Sequence, residues 1–160
     1  MGKQERLFSK CIQAALRERF YVLPIESHAT LGIPDLYMHE KRVPQPIPIW
    51  CELKDMRDVT ALSWAKIPFE AGQLNRLIDI YMSGALAFVQ VYWQNHAVII
   101  PLDCIERSTE KIKKEALHGG LSLIPFGPLK EGGTFPGYAA SLSSTICELR
   151  IRQVGLLKLQ

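Results

Sequence analysis

The sequence predicts an α/β fold in which a mixed central β-sheet is flanked by helices. Amphipathic helical patterns occur at the start and in the middle of the chain, and short β-rich runs lie between and after them. The order is one helix, three strands, a helix, two strands and a further helix, and this alternation predicts helices on both faces of the sheet. The 160 residues are 48% hydrophobic and 22% charged, which suits one globular domain with a genuine core.

The first half of the chain carries one predicted helix and three predicted strands. An apolar stripe predicts a helix over Lys3–Arg19. Breakers mark the connection His28–Pro34, and three prolines mark a loop over Glu40–Pro48. Strands are therefore expected at Phe20–Ile25, Asp35–His39 and Ile49–Leu53.

The second half begins with an irregular segment, Asp55–Pro68, and a second amphipathic helix over Phe69–Ser83. Leu86–Trp93 and Ala97–Ile100 are predicted to pair across a short turn. The remaining predictions are a helix over Leu102–Leu117, a strand over Leu121–Pro125, a loop over Phe126–Gly137 and a short helix over Leu142–Arg150. No boundary is evident, so residues 1–160 are predicted to form a single domain, with a core of about 3–101 and a C-terminal elaboration of about 102–160.

Composition excludes some functional classes. The net charge of +3 permits a nucleic-acid partner but does not indicate one. No apolar run approaches the roughly 20 residues that span a bilayer, and the first residues lack the apolar region of a signal peptide, so we expect a cytoplasmic protein. The cysteines have no zinc-ligand spacing and are expected to be reduced and mostly buried: Cys11, Cys51, Cys104 and Cys147.

The chemistry of the chain is predicted to lie at Asp35, Glu52 and Lys54. Because side chains alternate along a strand, Glu52 and Lys54 face the same side while Leu53 points into the core. Asp35 comes from the neighbouring predicted strand. Two carboxylates and the Leu53 carbonyl suit Mg²⁺ or Mn²⁺, and a lysine beside them could stabilise a phosphate.

Taken together, these motifs resemble the PD-(D/E)xK nuclease superfamily. Gly32-Ile33-Pro34-Asp35-Leu36 followed by Glu52-Leu53-Lys54 resembles in particular the VRR-NUC type and the Holliday-junction resolvases of phages and archaea. Glu5 matches the glutamate of the preceding helix, and Gln73 matches the glutamine that opens the following helix. The resemblance covers about Glu5–Ile100.

The resemblance implies a restriction-endonuclease-like core and a metal-dependent DNA endonuclease selective for branched or junction DNA. It implies Asp35 and Glu52 as ligands of Mg²⁺ or Mn²⁺, Lys54 as the catalytic lysine and Gln73 as a residue that positions the lysine or water. Glu5 would be an outer ligand, a role that Glu18 or Glu26 could take instead. A homodimer and a prokaryotic or phage-infected cell are also implied.

Basic residues outside the motif are candidates for phosphate contacts: Lys41, Arg42, Arg57 and Lys66. Other interpretations stay open from the sequence alone. Asp35, Glu52 and Lys54 could be a surface ion-pair set on an exposed sheet face. The chain could also be a nucleic-acid-binding module without catalysis, or a host-interaction protein that retains the fold.

Overall fold

The structure, a computed structural model, describes residues 3–25, 32–60, 62, 67–102 and 122–157, with the side chains of residues 3, 4 and 155–157 outside that description. Within these ranges the helices are α1 Lys3–Leu16, α2 Gln73–Met82 and α3 Tyr138–Leu157. The strands are β1 Phe20–Pro24, β2 Leu36–Glu40, β3 Ile49–Asp55, β4 Leu86–Trp93, β5 His96–Pro101 and β6 Ser122–Pro125.

The strands form one mixed sheet in chain order, from β1 at one edge to β6 at the other. β3 and β4 pair in parallel, and the other neighbours pair antiparallel. A parallel pair needs a crossover connection, and α2 lies in it. The prediction of an α/β fold with a mixed sheet and flanking helices is confirmed.

The two faces of the sheet bury different clusters. One face packs against α1 and α3, and its fully buried side chains include Phe8, Leu53, Phe88 and Tyr138. The opposite face packs against α2, and its cluster includes Leu77, Val89 and Val98. Alternation along β3 therefore sends Leu53 to the first face, whereas Glu52 and Lys54 lie on the α2 face.

Several predicted boundaries were wrong. α1 ends at Leu16 rather than Arg19, and β3 runs on to Asp55 because Leu53–Asp55 pair with β4. α2 begins at Gln73, four residues later than predicted, because Gly72 before it adopts a left-handed backbone with φ of 83°. Position 35 precedes β2 instead of opening it.

The C-terminal part differs most from its prediction. α3 spans 20 residues, where a short helix over Leu142–Arg150 was predicted. Its inner side contributes Tyr138, Leu142, Ile146 and Leu149 to the first core cluster. The predicted helix over Leu102–Leu117 lies outside the described residues from position 103 onward.

Of the cysteines in the described ranges, Cys11 and Cys51 are buried free thiols, and Cys147 is exposed. Cys104 lies outside those ranges. Among the described residues, no helix combines the length and apolar character that crossing a membrane requires.

Candidate active site

Asp35 and Glu52 are brought together by the pairing of β2 with β3. Leu36 is registered with Cys51 in this antiparallel pair, so the position before β2 lies beside the position after Cys51. The Leu53 backbone N–H donates a hydrogen bond of 2.9 Å to Asp35 Oδ2, which fixes that carboxylate against the end of β3. Pro34 favours an extended backbone at the residue before it, so the chain enters the site from Gly32 without a helical turn.

Glu52 and Lys54 form a buried ion pair on the α2 face of β3. Lys54 Nζ lies 2.7 Å from Glu52 Oε1 and 4.0 Å from Glu5 Oε1 at the start of α1. Glu52 is 0% exposed and Lys54 is 4% exposed. The interpretation of these residues as a surface ion-pair set on an exposed sheet face is therefore wrong.

Gln73, the first residue of α2, holds Lys54 in place. Its Oε1 accepts hydrogen bonds from Lys54 Nζ at 3.1 Å and from the Glu70 backbone N–H at 2.8 Å. The turn before α2 thus orients the side-chain amide of Gln73 towards Lys54. Gln73 is itself buried, which restricts its side chain to this arrangement.

The side chains around the ion pair line one pocket. The Phe69 ring lies at this pocket with its centroid 5.8 Å from Lys54 Nζ. The structure brings together α1, β3, α2 and the segments before β2 and α2 here, and the lining residues are Glu5, Asp35, Glu52, Lys54, Pro68, Phe69, Glu70 and Gln73. Five of these were predicted as site residues.

Burial raises the pKa of two carboxyl groups in this pocket, those of Asp35 and Glu52. Burial, and then the nearby charge of Asp35, raise the pKa of Glu52 from 4.5 to about 7. Burial also raises the pKa of Asp35, against the lowering effects of the Leu53 N–H and of Lys54. Neither carboxylate oxygen of Glu52 makes a hydrogen bond of good geometry, despite the nearby lysine.

A buried carboxylate with so few hydrogen bonds is stabilised by a bound cation. Among the described residues, no three Asp, Glu, His or Cys side chains are grouped closely enough to hold a metal by themselves. Mg²⁺ does not need such a cage, since it keeps several waters and commonly uses one or two protein carboxylates together with substrate phosphate. Asp35 and Glu52 therefore fit Mg²⁺ or Mn²⁺ better than a metal that requires a full set of side-chain ligands.

The other predicted residues lie elsewhere. Lys41 and Arg42 are exposed just beyond β2, about 20 Å from Asp35 at roughly 3.3 Å per residue. Lys41 Nζ donates to the Arg17 carbonyl. Arg57 pairs with Asp55 and lies over the Tyr92 ring, 5.5 Å from its centroid.

Of the candidate glutamates, Glu5 is at the pocket and Glu18 is not. Glu18 is exposed, pairs with Arg17 at 3.6 Å and lines a separate groove with Arg42. Glu26 and Lys66 lie outside the described residues.

Sequence reasoning missed the residues that support Gln73. A Cβ atom added at Gly32 would lie 3.1 Å from the Gly72 carbonyl group and 3.3 Å from the Gln73 nitrogen, so the turn before α2 fits against a bare backbone. The Gly-x-Pro-Asp pattern contains this glycine, but its contact with α2 is visible only in three dimensions.

Comparison with known proteins gives similarity to solved structures alone. No family model matches the sequence, and no curated protein matches it. The fold is similar to that of Hjc, a Holliday junction resolvase of the archaeal hyperthermophile Archaeoglobus fulgidus, with a TM-score of 0.48 and 15% identity over 68% of this chain and 83% of that chain. A similarity at this level implies no shared activity.

Proposed function

We propose that this protein is a Mg²⁺- or Mn²⁺-dependent endodeoxyribonuclease that acts on branched or junction DNA. The observation that carries the proposal is the buried set of Asp35, Glu52 and Lys54 at an open pocket, where Glu52 Oε2 lacks a hydrogen bond and Glu52 Oε1 has Lys54 Nζ at 2.7 Å. A set placed there only for stability would be expected to satisfy its polar atoms. Hydrolysis would add water across one P–O bond of the DNA backbone and leave a phosphate and a hydroxyl group.

Asp35 and Glu52 would hold the cation, together with the Leu53 carbonyl. The N–H and C=O of one residue in an extended strand point to the same neighbouring strand, and the Leu53 N–H already points to Asp35. A bound divalent cation lowers the pKa of water and offsets charge on the scissile phosphate. Because the pKa of Glu52 is raised to about 7, cation binding would compete with a proton there below that pH.

Lys54 would place its ammonium beside the phosphate that is cleaved. Gln73 holds that ammonium by its Oε1, so it would act as a positioning residue for Lys54. Glu5, 4.0 Å from Lys54 Nζ, would help to orient the attacking water. The preference for branched DNA rests on the resemblance of the Gly32–Leu36 and Glu52–Lys54 motifs to those of junction-resolving nucleases.

The test is cleavage of a labelled four-way junction beside a linear duplex of matched sequence, in Mg²⁺, Mn²⁺ and EDTA. We expect metal-dependent, paired incisions in the junction that fall by about 100-fold or more in Glu52→Gln and Lys54→Ala. The control variants are Glu148→Gln and Lys10→Ala, which change exposed residues outside the pocket and should cleave as the wild type does.

Equal cleavage of duplex and junction would support the proposed nuclease activity and contradict the proposed selectivity for branched DNA. Binding of junction DNA without any cleavage sensitive to these variants would favour a non-catalytic binding module.

We also propose a homodimer, which would place two active sites across a branched substrate. Sedimentation of the protein with and without junction DNA tests this independently. A monomer under both conditions would exclude a dimeric resolvase.

A further inference from the structure

A continuous chain of aromatic rings lies on the sheet face that carries the candidate active site. Tyr21 and His39 stack with ring centroids 5.3 Å apart and planes 21° apart. Tyr37 contacts His39 at 6.1 Å and Trp50 at 5.3 Å, both edge to face. We call these four residues, Tyr21, Tyr37, His39 and Trp50, the aromatic face.

Strand alternation connects the aromatic face to the candidate site. Tyr37 lies two residues after Asp35, and Trp50 lies two residues before Glu52, so all four side chains point to the same side of the sheet. The separation along each strand is about 7 Å, close to two base steps of a nucleic-acid strand at 3.4 Å per step. A phosphate at Glu52 and Lys54 would therefore bring the adjacent bases over these rings.

The aromatic face is accessible at its outer edge. α2 packs on β3 and β4, whereas β1 and β2 continue beyond it. Tyr21 is 49% exposed and the adjacent Leu23 is 46% exposed. Trp50 lies at the inner end of the aromatic face, where it packs against the cluster on the α2 side of the sheet.

Charge and chemistry favour unpaired nucleobases as the occupant. Lys41 and Arg42 are both exposed and follow β2 at the end of the aromatic face that is distant from Asp35. A nucleic-acid strand lying along the aromatic face would thus have cations for its phosphates at that end and the candidate catalytic site at the other end. Aromatic rings beside cations form the kind of surface on which successive bases of a single strand stack, because every base has a π face.

A second copy of the chain fits this surface less well. A stable interface buries about 800 Å² on each partner, and the exposed parts of the aromatic face and Leu23 amount to much less, since Tyr37, His39 and Trp50 are only partly exposed. Aromatic platforms that stack bases, in contrast, work with a few rings beside a basic groove.

We infer that the aromatic face binds unpaired nucleobases next to the cleavage site, so that the preferred substrate has a single-stranded or splayed segment. This inference rests on the proposed function for the identity of the ligand as DNA. Its test can be separated from catalysis because it measures binding in EDTA, where no metal-dependent cleavage occurs.

The experiment is fluorescence anisotropy with a labelled 12-nucleotide single strand and with a blunt duplex of the same sequence, in EDTA. We expect Tyr21→Leu and Tyr37→Leu to weaken single-strand binding by roughly tenfold or more, with less than about a twofold effect on the duplex. Tyr21→Phe and Tyr37→Phe keep the rings and should bind as the wild type does. Leu123→Ala, an exposed apolar change on β6, is the control.

Tyr21 is half exposed, so its replacement is not expected to disturb folding, and thermal unfolding of each variant checks this. Wild-type affinity in both Leu variants, or an equal loss for single strand and duplex, would overturn the inference. A wild-type dimer that becomes monomeric in the Leu variants, with single-strand affinity unchanged, would overturn it in favour of self-association. Each of these results would leave the proposal of nuclease activity supported if Glu52→Gln still abolished junction cleavage.

Discussion

Glu52 is a buried carboxyl group with a strongly raised pKa. Its carboxylate is buried, faces Asp35 and Glu5, and has Lys54 as its nearby cation. Burial raises the pKa to about 7 in the folded chain, against 4.5 for an exposed glutamate. The folded state therefore binds more protons than the unfolded state between these two pH values.

This proton binding gives the metal-free protein a testable pH dependence. A carboxyl group with a raised folded-state pKa stabilises the fold below its unfolded pKa, and this contribution is lost as pH rises through the folded pKa. From pH 4.5 to above 7 the free energy of unfolding of the wild type should fall, relative to Glu52→Gln, by roughly 3 kcal/mol. Urea unfolding in EDTA across this range measures the difference.

Glu148→Gln, on the exposed side of α3, is the matched control variant for that measurement. Parallel stability curves for wild type and Glu52→Gln would contradict the raised pKa.

At the residue scale, the sequence identified Asp35, Glu52, Lys54, Gln73 and Glu5 correctly as neighbours. It did not determine that Glu52 and Lys54 are almost fully buried, because burial depends on α1 and α2 packing around the end of β3.

At the scale of elements, the start of α2 is decided by two glycines. Gly32 has φ of +85° and lies against Gly72, so alanine at position 32 would bring both left-handed strain and a contact of 3.1 Å with backbone. The backbone that would have to move carries Gln73, and Gln73 holds Lys54.

We therefore expect Gly32→Ala to lower the kcat of metal-dependent cleavage by about 10- to 100-fold, because small displacements of catalytic groups are costly. Gly84→Ala is the matched control: Gly84 has φ of +94°, but nothing lies within 4 Å of its added Cβ. Both variants should lose about 1–2 kcal/mol of stability from backbone strain. Activity is compared at a temperature where both remain folded, and an equal effect on kcat would show that strain alone is responsible.

The elements themselves were largely predictable from local pattern, and their ends were not. The apolar stripe of α1 and the β-rich runs of β4 and β5 produced the correct element types. β3 extends to Asp55 because β4 supplies hydrogen-bonding partners as far as Tyr92, and such pairing is invisible in a local window. The same limit applies to the aromatic face, since its four residues come from three strands whose register only the sheet reveals.

At the scale of the whole molecule, β6 and α3 share a core with the N-terminal strands. Leu142 on α3 is 0% exposed and lies in the same cluster as Phe8 and Leu53. Buried Gln90 on β4 also donates a hydrogen bond to the Tyr138 hydroxyl on α3. We therefore propose that the described C-terminal elements fold as one cooperative unit with the rest.

Leu142→Ala tests this unit. It should lower the free energy of unfolding by about 2–5 kcal/mol through the cavity it leaves. Ile151→Ala on the same helix, where the side chain is 74% exposed, should change stability by no more than about 0.5 kcal/mol. Urea unfolding followed by tryptophan fluorescence and by circular dichroism should show one coincident transition for both. A separate early loss of helical signal in Leu142→Ala, with the sheet unfolding at the wild-type midpoint, would contradict a single unit.

By itself the sequence determined the α/β class and the types of the described elements, and it placed Glu52 and Lys54 on one side of a strand. Periodicity and local spacing suffice for this, because they fix which side of a strand each residue faces, whereas Glu5 and Gln73 were assigned from the resemblance of the motifs to those of a nuclease superfamily. Only the tertiary structure decided that Glu5 rather than Glu18 reaches Lys54, that Arg57 is paired with Asp55 and that Lys41 and Arg42 lie far from Asp35. These facts follow from sheet register and helix docking, which depend on contacts between residues distant in the chain.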